Sequence, residues 1–377
     1  MKLEILRGEL TSALGIVSRI AIRNPNLPIL EGVLLEAGKS SLSLTTTDLE
    51  VGTQWWSLAK VSKPGKIVVP ARILTDLVKL VDDQKIRLES EQNHLTMEYQ
   101  NGKDQIQGLE IEDFPLLPQT EEKIWVEIDS FKFCQGLKQV LYCAASSESR
   151  PEISGVYLLF EAKRLTLAAT DSFRLAEKII EPVEKSQGLK KELVFILPVK
   201  TAQQVISVFE TTGKSIRIHL STDQIVFEVQ AGNAPHPQGR IVSRLIEGVY
   251  PDYRGVIPKS FQVSVQLSRS QLLNKIKAAN LFSDQVNEVQ LGVRAKEGRL
   301  LIESRSTKIG KSESFLPAAI QGEDITISFN SRYLIDVLGN LSSQEIILQF
   351  NNEGKAGLLK PADDSSYQYV LMPIKSA

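Results

Sequence analysis

The sequence is poor in the residue types that catalysis and metal binding use most. Its 377 residues include only two cysteines, Cys134 and Cys143, and three histidines, His94, His219 and His236. The two cysteines lie on a helical pattern, and metal sites need more ligands at closer spacing, so we expect both to be buried apolar side chains. The histidines are scattered over strand and loop patterns, which predicts surface or hydrogen-bonded roles rather than ligand roles.

The motifs of common enzyme classes are also missing. The chain has no phosphate-cradling glycine-rich loop, no dinucleotide fingerprint and no nucleophile elbow. Asp48 and Asp171 recur at equivalent places of a repeated pattern, which predicts a role in turns rather than a paired acid and base. We therefore expect no catalytic site, metal or cofactor. Two alternatives stay open: a hydrolase on a repeated α+β scaffold, and a purely structural repeat protein.

Neither sign of charge dominates the chain. Lys and Arg number 44 against 45 Asp and Glu, which gives a formal net charge of −1. This excludes a chain that is basic throughout, but it allows a basic surface balanced by an acidic one. The N-terminus lacks the apolar core of a signal peptide, and no apolar run is long enough to span a bilayer. We expect a cytoplasmic protein of two or three domains.

What the sequence does contain is one pattern that occurs three times. Each copy repeats the order of strand, amphipathic helix and further strands twice, and the copies are spaced by roughly 120–140 residues. Thr47-Asp48-Leu49 matches Thr170-Asp171-Ser172, and Pro70-Ala71-Arg72 matches Pro198-Val199-Lys200. Because solenoid repeats are much shorter, the sequence predicts three similar α+β domains, each with two helices and mostly antiparallel strands.

Two segments mark the boundaries between these domains. Prolines and acidic residues at 113–123 indicate a first linker. Gly248–Pro258 holds two prolines and two glycines around two tyrosines, so it cannot form a regular helix or a central strand. We predict domains at residues 1–122, 123–258 and 259–377.

Basic and amide side chains recur opposite the apolar stripes of the predicted helices, and Thr75 and Gln139 are assigned to the same polar faces. A solvated helix face normally mixes both signs, so the bias is modest support for a polyanionic partner, with ordinary solvated faces as the alternative. The basic residues concerned are Arg19, Arg72, Lys79, Lys132, Lys200, Lys275 and Lys277.

The final apolar stretch, Tyr369–Ile374, allows two interpretations. It is either an edge strand that completes the last sheet or the wall of an exposed groove for partner peptides, since methionine and aromatic side chains suit adaptable recognition surfaces.

Five stretches distributed along the chain carry a distinctive wording: Leu27–Leu30, Thr170–Ala176, Gly248–Pro258, Tyr333–Leu338 and Tyr369–Ile374. Together they resemble the bacterial replicative sliding clamps, the beta subunits of DNA polymerase III, and the resemblance extends over the whole chain. It implies a head-to-tail homodimer of three-domain subunits, whose closed ring surrounds duplex DNA without sequence specificity, with helices lining the hole.

The resemblance also implies partners rather than an activity. A sliding clamp is a processivity subunit without a catalytic site of its own, and it tethers the polymerase III alpha subunit, the clamp loader and other proteins with clamp-binding motifs. Short peptides of the form Gln-Leu-x-Leu/Phe occupy an outer groove. The implied groove residues are Ile153, Thr170, Ser172, Phe173, Arg174, Leu175, Pro251, Val256, Asn330, Tyr333, Val370, Leu371, Met372, Pro373 and Ile374.

Two further surfaces follow from the same resemblance. The basic helix residues would face DNA, and Arg23 would join them because Asn24 stands where the family has an arginine. Leu281 and Phe282 would pack against Ile106 of a partner subunit. Gly255, where many relatives carry arginine, is a departure that bears on peptide preference.

Overall fold

The computed structural model describes residues 1–21, 24–118, 123–146, 149–230, 232, 236–351 and 354–374. In this part of the chain, no helix is long and apolar enough to cross a membrane. The α-helices within it are α1 Arg7–Val17, α2 Ala71–Leu80, α3 Ser130–Leu141, α4 Val199–Phe209, α5 Arg269–Asn280 and α6 Ser331–Asn340.

Strands make up most of the remaining regular structure. The first thirteen are β1 Lys2–Leu6, β2 Gly32–Ala37, β3 Ser41–Thr47, β4 Val51–Leu58, β5 Lys60–Lys63, β6 Gly65–Pro70, β7 Lys85–Glu91, β8 His94–Tyr99, β9 Gly102–Gln107, β10 Trp125–Asp129, β11 Gly155–Phe160, β12 Leu165–Thr170 and β13 Arg174–Ile180.

The strands that follow are β14 Lys185–Gln187, β15 Leu193–Pro198, β16 Ser215–Leu220, β17 Gln224–Gln230, β18 Pro237–Arg244, β19 Val263–Ser268, β20 Glu288–Arg294, β21 Arg299–Ser306, β22 Gly310–Pro317, β23 Ala319–Gln321, β24 Ile325–Asn330, β25 Glu345–Phe350, β26 Gly357–Pro361 and β27 Tyr367–Leu371.

The chain divides into two compact units. The first unit comprises Met1–Phe131, Val183–Lys190 and Gln203–Leu245. It contains sheet A, in the order β5-β1-β7-β8-β9, and sheet B, in the order β14-β10-β16-β17-β18-β4-β3-β2-β6. Antiparallel pairing of β18 with β4 makes sheet B continuous between residues predicted to belong to the first and second domains.

The second unit comprises Lys132–Pro182, Lys191–Ala202 and Ile246–Ala377. Its sheet C runs β15-β11-β12-β13-β27-β26-β25-β19-β23, and its sheet D runs β22-β21-β20-β24. Here β27 pairs antiparallel with β13 on one side and with β26 on the other. The interpretation of Tyr369–Ile374 as an edge strand is therefore wrong: β27 lies inside its sheet, where both of its edges are paired.

The helices form where the sequence pattern predicts them, with small differences at their ends. Leu10, Ala13, Leu14 and Val17 are the buried stripe of α1. Ser268 caps α5 by accepting the Gln271 backbone N–H, as a serine at this position predicts. Helix α3 ends at Leu141.

Two residues assigned to polar helix faces are buried instead. Thr75 in α2 is 8% exposed and Gln139 in α3 is 9% exposed. The Thr75 hydroxyl donates to the Ala71 carbonyl at 2.7 Å, and this bond within the helix lets a threonine be buried without an unsatisfied group. Neither residue belongs to a solvent-facing surface.

The two cysteines are free and buried, as predicted. Burial raises the pKa of the Cys143 thiol far above its usual value, so the thiol stays protonated and unreactive. Both side chains act as apolar filling.

Candidate functional site

The turn between β12 and β13 is built by the side chains of Thr170 and Asp171. Asp171 Oδ1 accepts the backbone N–H groups of Phe173 and Arg174, both at 2.9 Å. Thr170 Oγ1 accepts the Ser172 N–H at 3.1 Å and donates to the Arg174 carbonyl at 2.7 Å. These bonds hold Ser172 at a φ of 77°, a conformation that few residues adopt without such support. The turn leaves Phe173 62% exposed.

Arg174 follows this turn and ties three elements of the second unit together. Its Nε donates to Asp171 Oδ2 at 2.9 Å, Nη1 donates to Asp336 Oδ2 at 2.5 Å, and Nη2 donates to the Tyr142 carbonyl at 2.7 Å. The guanidinium carbon lies 4.3 Å from the centre of the Tyr333 ring, within cation–π distance. The Arg174 side chain is only 12% exposed, and a buried charge of this kind requires such partners.

The C-terminal segment lies against the same turn. In the pairing of β13 with β27, Arg174 is opposite Leu371 and Leu175 is opposite Val370. Beyond β27, the Met372 N–H donates to the Phe173 carbonyl at 2.9 Å, and the Ile374 N–H donates to the Ser328 carbonyl at 2.8 Å. Met372 remains 44% exposed. The chain end thus places an exposed methionine beside an exposed phenylalanine.

The segment Gly248–Pro258 supplies two buried tyrosines to this region. Tyr250 and Tyr253 belong to an apolar cluster that also contains Ile153, Leu175 and Val370. The Tyr253 hydroxyl donates to Glu177 Oε2 at 2.5 Å. Burial, followed by the bond to Glu177, raises the pKa of Tyr253 well above its usual value. The predicted domain joint is therefore anchored in the core of the second unit.

Two other predicted groove residues on this segment flank Tyr253. Val256 is 58% exposed and Pro251 is partly buried. The backbone N–H of Val256 donates to the Tyr253 carbonyl at 3.1 Å, so the buried tyrosine holds the exposed valine in position.

The remaining predicted groove residues, Asn330 and Tyr333, lie at the start of α6. Asn330 caps α6, because its side chain accepts the Arg332 N–H at 3.0 Å. Tyr333 is partly exposed, and its carbonyl accepts the Tyr369 hydroxyl at 3.1 Å. Every predicted groove residue thus falls within the second unit, where bonds and apolar packing link the Thr170–Leu175 turn, α6, the joint and the chain end.

Three residues of this region were not singled out from the sequence: Asp336, Tyr142 and Arg150. Arg150 Nη1 donates to the Ser172 hydroxyl at 3.1 Å, and its Nε donates to Glu152 Oε1 at the same distance. The Arg150–Ser172, Tyr142–Arg174 and Arg174–Asp336 bonds join residues 22 to 162 positions apart, so no local pattern predicts them. The spacing of Tyr333 and Asp336 on one helix face is the only signal available in the sequence.

The predicted DNA-facing residues lie mostly on exposed helix positions. Arg72 is 95% exposed in its side chain and forms a 3.8 Å ion pair with Asp76. Arg19 Nε donates to the Gly15 carbonyl at 3.1 Å. Arg23 lies outside the described residues. The exposed members are Arg19, Arg72, Lys79, Lys132, Lys200 and Lys277, and Lys275 is half-buried.

The predicted dimer residues differ in their exposure. Leu281 is 70% exposed and caps the C-terminal end of α5, and Phe282 is half-buried beside it. Ile106 is only 5% exposed, because its side chain points into the first unit. Its strand β9 nevertheless ends sheet A, so the strand edge, more than the Ile106 side chain, is the part that another chain can reach.

Known proteins match this chain along its whole length. The three domains of the DNA polymerase III beta subunit match in order: the N-terminal domain at residues 1–118, the central domain at 127–252 and the C-terminal domain at 254–375. The beta sliding clamp of Synechococcus elongatus is 30% identical over 379 residues, which cover 100% of this chain and 99% of the relative. This chain belongs to the DNA polymerase III beta subunit family.

Other sliding clamps share its sequence and fold. The beta sliding clamp of Synechocystis is 29% identical over 397 residues, covering 100% of this chain and 99% of the relative. The beta subunit of Thermotoga maritima superposes over the full length of both chains with a TM-score of 0.90 at 25% identity. A Pseudomonas aeruginosa sliding clamp bound to griselimycin also matches over both full lengths, with a TM-score of 0.92 at 25% identity.

Membership in the sliding clamp family assigns the chain to DNA replication and confirms three clamp domains of α+β structure with antiparallel sheets. The comparisons favour this function over a hydrolase or a structural repeat protein.

Proposed function

We propose that two copies of this chain close head to tail into a ring around duplex DNA and tether the polymerase III alpha subunit, the clamp loader and other peptide-bearing partners. The observation that carries the ring is a pair of open strand edges. Strand β9 ends sheet A, and β22 ends sheet D. An edge strand presents backbone N–H and C=O groups that another chain can pair with. Pairing β9 of one copy with β22 of the other uses both edges, and a second such contact closes the ring.

Leu281 adds apolar area to this interface, since it is exposed at the end of α5. Replacing Leu281 and Phe282 by alanine should shift the sedimentation mass from dimer to monomer. Leu116→Ala is the matched control, because Leu116 is 92% exposed in the first unit and its loss should leave the dimer intact. An unchanged dimer in the double variant would contradict this interface.

For DNA, we propose attraction without base recognition. The exposed lysines and arginines of the helices would approach phosphates, which gives binding that is independent of sequence and sensitive to salt. Processivity then comes from the closed ring. Purified protein loaded onto nicked circular DNA should be retained and should be lost once the circle is linearised. Equal retention on both would exclude a topological link.

For partners, we propose that the exposed apolar side chains of the second unit receive a peptide of the form Gln-Leu-x-Leu/Phe. Phe173, Val256 and Met372 are each between 44% and 62% exposed. Full burial of one leucine-sized side chain contributes about 1.5–3 kcal/mol. Two such anchors agree with micromolar binding once ordering costs are subtracted. Fluorescence anisotropy with a labelled peptide measures this affinity directly, and a scrambled peptide is the control.

A further inference from the structure

Asp336 lies one helical turn beyond Tyr333 in α6, and Arg174 contacts both. The guanidinium donates to Asp336 Oδ2 at 2.5 Å while its carbon lies 4.3 Å from the Tyr333 ring centre. Residues three apart on a helix occupy the same face. The bond to the Asp336 carboxylate therefore keeps the Arg174 guanidinium over the Tyr333 ring, and the ring packs against a planar cation.

Two other bonds determine the plane of that cation. Asp171 Oδ2 accepts from Nε, and the Tyr142 carbonyl accepts from Nη2. Three acceptors in fixed directions leave the guanidinium fork little rotational freedom. Asp171 is also the residue that builds the turn carrying Phe173. One side chain thus connects the orientation of Tyr333 with the turn that presents Phe173.

Helix α2 of the first unit provides a natural comparison. Its Asp76 occupies the same place in the helix as Asp336, five residues after the first helical residue. Asp76 pairs only loosely with the exposed Arg72, at 3.8 Å. An aspartate at this helix position does not by itself require a buried guanidinium, so the Arg174 contact belongs to the second unit's own architecture.

We propose that Asp336, with Asp171, is a positioning residue of the peptide groove: it holds Arg174 against Tyr333 so that the groove wall is formed before a peptide arrives. This inference rests on the peptide-binding function proposed above. When only a fraction of the molecules has the groove wall in its peptide-binding arrangement, the apparent affinity for the peptide is reduced in proportion to that fraction. Loss of Asp336 should therefore slow association and leave dissociation nearly unchanged.

The test measures association and dissociation rates of a Gln-Leu-x-Leu/Phe peptide by stopped-flow anisotropy on the full-length protein. Asp336→Ala should lower the association rate about tenfold, the size expected for losing one hydrogen bond to a charged group, with dissociation within about twofold. Asp336→Asn keeps an oxygen that can accept from Nη1, and it should recover association to within about threefold of the original protein. Asp76→Ala is the matched control and should bind as the original does.

The outcomes separate the possibilities. Unchanged association in Asp336→Ala would overturn the positioning role, and so would a change confined to dissociation, which indicates direct contact with the peptide. If Asp336→Ala does not fold, the association rate of Arg174→Lys is measured instead. Lysine keeps the charge but lacks the planar fork, so association at the original rate would overturn the proposal. Failure of the unmodified protein to bind any peptide would instead reject the proposed peptide-binding function.

Discussion

Two turns of this protein have the same internal bonds and different surroundings. In the β3–β4 turn of the first unit, Asp48 Oδ1 accepts the N–H groups of Glu50 and Val51, at 3.0 and 2.8 Å. Thr47 Oγ1 accepts the Leu49 N–H and donates to the Val51 carbonyl. Leu49 has a φ of 78°. These are the bonds and the backbone angle of the β12–β13 turn.

The turns differ at the residue that follows them. Val51 is buried and apolar, whereas Arg174 carries a buried charge with bonds to Asp171, Asp336 and the Tyr142 carbonyl. Both residues begin strands that pair with a strand distant in sequence, β18 in one case and β27 in the other. The comparison teaches that the repeat supplies the same turn twice, and that a single arginine links one of the two to neighbouring elements.

The largest effect should come from removing the C-terminal segment. In the described structure this segment lies against the β12–β13 turn and not against the β3–β4 turn. Deleting Met372–Ala377 removes the Met372 N–H bond to the Phe173 carbonyl and the exposed methionine. We expect peptide affinity to fall by more than about 100-fold, since the predicted groove residues Met372, Pro373 and Ile374 are lost together, while the dimer mass and retention on nicked circles persist. Deletion of residues 375–377 alone is the control. Full affinity in the longer deletion would show that the groove lies elsewhere.

The next effect tests the residue that distinguishes the two turns. Arg174→Ala leaves Asp171 and Asp336 without their cation, so peptide affinity should fall about 10- to 100-fold. Val51→Ala removes buried apolar volume in the first unit, so it should cost about 1–3 kcal/mol of stability and leave peptide binding unchanged.

Anisotropy titrations and urea midpoints of the two variants separate these effects. Equal loss of peptide affinity in both would mean that general destabilisation, not the arginine, controls the groove.

A smaller effect should come from the aspartates that the turns share. Asp48→Ala and Asp171→Ala each remove the acceptor of two backbone N–H groups, which should cost about 1–2 kcal/mol in either unit. Only Asp171→Ala should also weaken peptide binding, because Asp171 Oδ2 holds Arg174. Thermal melts compare the stabilities and anisotropy compares the affinities. Identical peptide binding in the two variants would remove Asp171 from the positioning set.

The smallest effect concerns α2, whose first turn carries the exposed Arg72. Arg72→Gln should reduce the slope of log affinity for DNA against log salt by about 0.9, the value for one phosphate contact. Lys39→Gln, on an exposed hairpin turn, should leave the slope unchanged. Equal slopes in both variants would show that α2 does not approach DNA.

Local structure was largely predictable from the sequence. Alternation at Val263–Leu267 and the apolar spacing of α1 depend on neighbours along the chain, and both elements form as predicted. The turn role of Asp48 and Asp171 is confirmed for the same reason, because an aspartate bonds its own backbone two and three residues on. The pattern of strand, amphipathic helix and further strands occurs three times in the sequence. This indicated three domains, since each copy must bury its own apolar stripes.

The buried side chains Thr75 and Gln139 were misassigned because a helical position alone does not reveal what packs against it. The role of Asp336 was not predicted from the sequence, since its partner Arg174 is 162 residues away. Pairings at that distance depend on which strands meet, and strand order has no local signal.

The sequence by itself therefore indicated the helices, part of the strands, the turn role of Asp48 and Asp171, and the family, because periodicity, turn chemistry and motifs depend on residues close together in the chain. Only the tertiary structure decided that β27 is an interior strand, that Tyr250 and Tyr253 are core residues, and that one guanidinium joins a turn, a helix and the end of α3. The physical reason is that burial of apolar area and satisfaction of a buried charge both depend on partners brought together by the fold.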